Sequence, residues 1–147
     1  MFDITGAPID VAALGDRVRS SECGAVVVFT GIVREFSDDL QPVTSLTYEA
    51  HREMAIAEFA AIADEARTLF GPCNVAAVHR TGTLRVGEVA VAVAAASAHR
   101  AQAFDACEYV IDQVKARAAI WKKELYADGT SSWRENDCNA QTNPSTA

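Results

Sequence analysis

The sequence predicts an α+β fold in one domain, and three observations carry that expectation. Strand-like and helix-like segments follow one another in mixed order. The chain has 147 residues, half of them apolar and 22% charged, a mix that suits a globular domain with a real core. No repeat, low-complexity tract or interdomain linker interrupts it.

Phe2 to Thr5 is short and reads as an edge strand. Pro8 suits a first helical turn, and Asp10 to Ser20 carries a weak helical pattern. Cys23 to Val33 is β-branched, apolar and bounded by glycine, so it reads as a buried strand. Arg34 to Pro42 is polar and reads as an exposed loop. Val43 to Glu49 alternates and returns as a strand. A long helix is expected from about His51 to Phe70, because Ala55, Phe59, Ile62, Ala66 and Leu69 recur at steps of three and four; Gly71-Pro72 ends it. Cys73 to His79 and Val86 to Ala96 are strand-like, punctuated by Thr81-Gly82 and Arg85 to Gly87. Ser97 is the expected N-cap of a second long helix from about His99 to Arg117, with Ala103, Phe104, Cys107, Val110, Ile111 and Val114 on its core face. Ala119 to Tyr126 reads as a last strand, Asp128-Gly129 as a turn and Ser131 to Arg134 as the hairpin partner. These elements make residues 1–134 a single domain. Residues 135–147 are polar and rich in Asn, Ser and Thr, the composition of a disordered tail.

Composition excludes several functions. Thirteen basic residues against twenty acidic ones give a net charge of −7, and a pI near 4.9 is unlike that of a nucleic-acid binder. No apolar run approaches the ~20 residues that span a bilayer. Met1 to Pro8 has neither the basic flank nor the apolar stretch of a signal peptide. Cys23, Cys73, Cys107 and Cys138 lack the close spacing of a zinc or redox motif; the first three read as small core residues and Cys138 as exposed. A reduced, cytoplasmic protein without metal or cofactor is expected. Glu49, His51 and Glu53 make a poor metal set, since Glu49 and His51 straddle a strand–helix junction.

Finer counts point to a local cationic site for a small anion. The three lysines all fall between Lys115 and Lys123, and each histidine precedes an arginine. Ser97-Ala98-His99-Arg100 would set a helix N-terminus, with its unpaired N–H groups, beside two cationic side chains, which suits a phosphate. Arg34 directly follows a buried strand and projects from a rigid base. Lys115, Lys122 and Lys123 lie around Trp121, and a desolvated lysine becomes a nucleophile or base. On a strand, Lys122 and Lys123 must point to opposite faces, so at most one enters a given site. No Gly-rich phosphate loop, G-x-S-x-G elbow or H-E-x-x-H motif is present.

Five ordered stretches carry a resemblance: G-A-V-V-V-F-T-G-I-V-R (Gly24 to Arg34), L-T-Y-E-A-H-R-E-M-A (Leu46 to Ala55), V-H-R-T-G-T-L-R-V-G-E (Val78 to Glu88), S-A-H-R-A-Q-A-F (Ser97 to Phe104) and I-W-K-K-E (Ile120 to Glu124). In this order they resemble the catalytic (large) subunit of molybdopterin synthase, from about Gly24 to Trp133. The resemblance implies an α/β-hammerhead core with an additional antiparallel β subdomain and two long helices. It implies a sulfurtransferase of molybdenum cofactor biosynthesis, converting cyclic pyranopterin monophosphate to molybdopterin. Sulfur would arrive as a thiocarboxylate on the C-terminal Gly-Gly of a small ubiquitin-like subunit, and a homodimer of large subunits would carry one small subunit at each end, a heterotetramer. Carried over residue by residue, the family's catalytic lysines fall on Lys115 and Lys122. Its substrate contacts fall on Ile32, Val33, Arg34, His99, Arg100, Lys122, Lys123 and Glu124. Two departures stand out. Ala119 replaces the proline common before the Ile-Trp-Lys motif, and Asp38-Asp39-Leu40-Gln41-Pro42 fills a loop that often holds glycine. The residues alone leave two other readings open, a non-catalytic anion-binding module and a small acyl-transfer enzyme using His99.

Overall fold

Side-chain alternation along two strands organises the molecule. In the computed structural model, which describes residues 1–135, β4 (Asn74–Arg80) and β6 (Val89–Ser97) are buried on both faces. Successive side chains on a strand point to opposite sides. Val75 and Ala77, with Val91, Val93 and Ala95, therefore enter the main core, whereas Ala76 and Val78, with Ala92, Ala94 and Ala96, enter a smaller one. The smaller core is alanine-rich, so the short helix α1 (Val11–Val18) lies close over it and inserts Leu14 and Val18.

The remaining elements are β1 (Phe2–Thr5), β2 (Ala25–Ile32), β3 (Val43–Ala50), α2 (Arg52–Phe70), β5 (Gly82–Arg85), α3 (Arg100–Arg117), β7 (Ile120–Tyr126) and β8 (Ser131–Glu135). One sheet has the order β1-β4-β6-β2 and the other β5-β3-β7-β8. Among the described residues only the β1–β4 pairing is parallel. The long helices α2 and α3 pack on each other, and their core residues join the inward residues of both sheets in the main core. The mixed order with two largely antiparallel sheets is the α+β fold expected. The expected tail starts at Glu135, which ends β8; residues 136–147, with Cys138, lie outside the described residues.

Several local expectations are corrected. Ser97 does not cap α3: β6 runs through it, and its buried Oγ lies 3.1 Å from the Pro72 carbonyl and 3.0 Å from Gln102 Oε1. His99 takes the N-cap position without a side-chain cap bond. Phe104 is 60% exposed, not core; it stands about 100° round the helix from Ala103, and Ala106 fills the buried face instead. Leu69 faces solvent, while Phe70 continues the stripe and packs edge-on against Tyr109, ring centroids 5.7 Å apart. The strand through Cys23 to Val33 is an edge strand with Val26 and Val28 partly exposed, because β6 covers only one of its sides. Between the expected punctuation at Thr81-Gly82 and Arg85 to Gly87, Gly82–Arg85 forms β5 by pairing with β3.

Two positions show how the backbone is steered. Gly71 closes α2 at φ +90°, a conformation L side chains rarely adopt. Leu40, in the loop after β2, has φ +60° and is exposed; a leucine in that conformation carries strain of about 1–2 kcal/mol.

Candidate functional site

The two sheets and the C-terminal half of α3 leave a cleft between them with about 650 Å³ of open space. Its chemistry comes from four places. Arg34 enters from the loop after β2, His79 from β4, Lys115 from α3, and Lys122 with Glu124 from β7.

Strand period decides which of the adjacent lysines enters. Ile120, Lys122, Glu124 and Tyr126 face inward, and Trp121 and Lys123 face out. Lys122 is 20% exposed at its side chain, and its Nζ lies 3.9 Å from Glu124 Oε1. Glu124 is buried and accepts a 2.8 Å hydrogen bond from the Tyr126 hydroxyl. Arg134 of β8 stands 3.7 Å from the same oxygen, Oε2, and bonds to Asp39. Thus the carboxylate that faces Lys122 through Oε1 is itself held at Oε2 by two groups. Lys123 lies instead over the exposed Trp133 ring, 5.8 Å from its centroid.

Electrostatics tune the cleft toward a neutral amine. Burial pushes Lys122 below the ordinary lysine range, with Lys115 and Arg34 adding repulsion, while Glu124 and Asp38 pull the other way. Burial also lifts the Tyr48 phenol to about 12, with Glu124 adding to it, so Tyr48 remains a hydrogen-bond donor at neutral pH. The Lys115 side chain is carried on the last turn of α3. That turn is pinned to α2 by Arg117, which pairs with Glu58 and, through both Nη atoms, with Glu65. Arg34 is exposed and pairs with Asp38 at 2.7 Å.

The residues expected in the site divide. Ile32, Arg34, Lys115, Lys122 and Glu124 line one cleft. Val33 does not: its side chain is buried in the core, and its N–H donates to the Glu88 carbonyl. Lys123 is on the outer face. His99 and Arg100 are exposed at the other end of α3, sixteen and fifteen residues from Lys115, roughly 24 Å along the axis. Within one chain they cannot touch a small ligand held by the lysines. Sequence reasoning passed over His79, Tyr48, Phe36 and Ser37, which also line the cleft. Only His79 carried a signal, as a titratable residue ending an otherwise apolar strand.

The chain is similar to several characterised proteins. It is 41% identical to a molybdopterin synthase catalytic subunit from Thermoplasma volcanium, over 89% of this chain and 95% of that one. It is 46% identical to one from Oryza sativa subsp. indica, over 92% and 69%. The crystal structure of molybdopterin synthase from Staphylococcus aureus superposes with a TM-score of 0.86 at 38% identity, covering 90% of this chain and 96% of that one. The family described as MoaE protein matches residues 4–117, a span that holds β2 to β6, α2, α3, Arg34 and Lys115, and with this match over most of its length the chain belongs to that family.

Proposed function

We propose that this chain is the catalytic subunit of a molybdopterin synthase, a sulfurtransferase that converts cyclic pyranopterin monophosphate to molybdopterin. The observation that carries the reading is the meeting of Lys115 and Lys122, from a helix and a strand, in one cleft beside Arg34, in a chain 41% identical to such a subunit. The cleft suits the chemistry. Arg34 offers a fixed guanidinium for the substrate's phosphate. Lys122, its positive charge disfavoured by burial, can pass a proton or stabilise developing negative charge as a thiocarboxylate sulfur attacks. Lys115 faces the same space and supplies a second cation or base. Glu124 holds Lys122 in place, and Ile32 gives the substrate ring an apolar contact.

Sulfur would come from a small ubiquitin-like partner whose C-terminal Gly-Gly thiocarboxylate enters the cleft; two glycines pass a narrow channel that any side chain would block. His99 and Arg100 join the site in this reading only from a second copy of the chain, which agrees with a central homodimer flanked by two small subunits. The cytoplasm is the compartment we assign. No described helix is long and apolar enough to cross a membrane.

The test is reconstitution with the thiocarboxylated partner and the pterin precursor, reading molybdopterin formed. Turnover is expected, and deletion of the partner's terminal Gly-Gly should abolish it. Undiminished turnover with the truncated partner would remove the reading.

A further inference from the structure

Two walls of the cleft come from distant parts of the chain, and one side chain outside the cleft touches both. Arg34, Phe36 and Ser37 reach the cleft from the loop after β2, and Lys122 and Glu124 reach it from β7. The loop is closed on itself. The Val43 N–H donates to the Glu35 carbonyl, Phe36 and Pro42 form an isolated bridge, and the Ser37 N–H donates to the Gln41 carbonyl at 2.9 Å. The Gln41 N–H donates back to Ser37 Oγ at 3.1 Å, and Ser37 is buried. Residues 35–43 are therefore a small hairpin with Asp38-Asp39-Leu40 at its tip. Asp38 turns back on Arg34. Asp39 reaches out of the hairpin and accepts a hydrogen bond from Arg134 Nη2 on β8.

The same guanidinium faces the other wall. Its Nε and Nη2 donate to the Tyr126 hydroxyl at 3.4 and 3.3 Å, and that hydroxyl donates to Glu124 Oε2. Nε also stands 3.7 Å from Oε2 itself. The remaining carboxylate oxygen, Oε1, faces Lys122. A guanidinium holds five donors in fixed directions, so it serves two acceptors at once where an ammonium would have to divide between them. An ion pair with both partners more than a third exposed, as Asp39 and Arg134 are, adds little to folding; what it supplies is the relative position of the two walls. We propose that Arg134 is a positioning residue of the cleft: by bridging Asp39 and Glu124 it fixes the loop that carries Arg34 against the strand that carries Lys122. When a phosphate competes with Asp38 for Arg34, the hairpin tip keeps its tie through Asp39. The catalytic meaning of this spacing rests on the function proposed above, but the bridge does not.

Single-turnover sulfur transfer with the thiocarboxylated partner, run over a range of precursor concentrations, separates the two arms. Asp39→Ala removes the hairpin arm and should raise the half-saturating precursor concentration at least threefold, with the saturating rate within twofold of wild type. Arg134→Met keeps the length, removes every donor, and should show the same rise together with a saturating rate five- to tenfold lower. The double variant should have a half-saturating concentration no higher than Arg134→Met alone, and Arg134→Lys, which keeps the charge, should recover part of both losses. Wild-type kinetics in Arg134→Met, or effects of the two substitutions that multiply in the double variant, overturn the proposal. Amide hydrogen exchange tests the bridge without catalysis. Ser37 and Gln41 should exchange at least threefold faster in Asp39→Ala and in Arg134→Met, with β4 on the other sheet unchanged. Wild-type protection of the hairpin in both variants also overturns it. If the wild-type chain transferred no sulfur, the functional reading would fall, while exchange would still decide the bridge.

Discussion

Acidifying the protein should reveal His79 as a stability switch. A histidine in the unfolded chain titrates near 6.5, and in the folded chain His79 is held to about 4. Below pH 6.5 the unfolded state takes up a proton that the folded state refuses until about pH 4. The folded state therefore loses stability as pH falls through this window, and the loss levels off below it. At 1.36 kcal/mol per pKa unit the gap is worth about 3 kcal/mol, a large part of the ~5–15 kcal/mol that holds a domain folded. Tyr48, Lys115, Lys122 and Glu124 share the cleft with His79, and His51 and His99 are exposed. Glu65, held at about 2 chiefly by its hydrogen bond to Arg117, loses its own contribution between 4.5 and 2, below most of the window. Urea unfolding at closely spaced pH values, for wild type and His79→Asn, is the assay. The wild type should lose about 3 kcal/mol between pH 7 and 4, and the variant should run nearly flat from 6.5 to 4.5. Parallel slopes in the two proteins would show that His79 protonates in the fold as readily as outside it, and the account of its neutrality would be wrong.

Other expectations follow from the same geometry. Lys122→Ala and Lys115→Ala should each slow single-turnover transfer by about 10²-fold or more with partner binding intact. Lys123→Ala should cost threefold at most, because that amine lies over Trp133 on the outer face; a dead Lys123→Ala beside an active Lys122→Ala would reverse the facing of β7. In a pH–rate profile, the limb reporting a neutral Lys122 should lie below the ordinary lysine value of 10.5, since burial disfavours its charge. Asp38 pairs with Arg34 where the substrate phosphate is proposed to bind, and an exposed pair of this kind is worth about 0–1 kcal/mol. Asp38→Asn should thus lower KM for the precursor by up to about fivefold, and an unchanged or raised KM would mean that Asp38 does not compete. Gly31→Ala would set a Cβ 2.6 Å from Val91 Cγ1 at the edge of the cleft, costing about 1–3 kcal/mol of stability in a denaturant titration.

Much of this architecture was legible in the sequence, and the misses have physical causes. The stripe Ala55, Phe59, Ile62 and Ala66 reports α2 because a helix repeats every 3.6 residues, and all four side chains are buried. Ser97 was misread because a hydroxyl before a helix signals a cap, whereas here the hydroxyl is spent on Pro72 and Gln102 across the main core's edge. The strand Cys23 to Val33 looks buried because its residues are apolar. Sheet order, which no local pattern encodes, leaves it at an edge. The same limit applies to the site. Lys115 and Lys122 could be placed near one another because seven residues of reversing chain separate them, but nothing local links His79 to either.

The site depends on period as much as on residue type. Shift β7 by one residue against β3 and Lys123 would enter the cleft while Lys122 and Glu124 moved to the surface, since one step along a strand exchanges its faces. What prevents the slip is the burial of Ile120, Glu124 and Tyr126 on the inward side and the tie from Tyr126 and Arg134 to Glu124. An outward Glu124 would lose these partners, and an inward Trp121 would have to displace core side chains. The register that aims Lys122 is therefore set by its neighbours, not by the lysine. Glu124 acts twice in this arrangement: it locks the strand that carries the amine, and it faces the amine's charge. On α3 the division of labour is different. Arg117 fixes the last turn from the outside through Glu58 and Glu65, while Lys115 and the buried His79 both line the cleft within. One amine is thus set against a carboxylate and the other, among the described residues, is not, so two chemically identical side chains in one cleft are given unequal electrostatic surroundings, which is the condition for assigning them different steps.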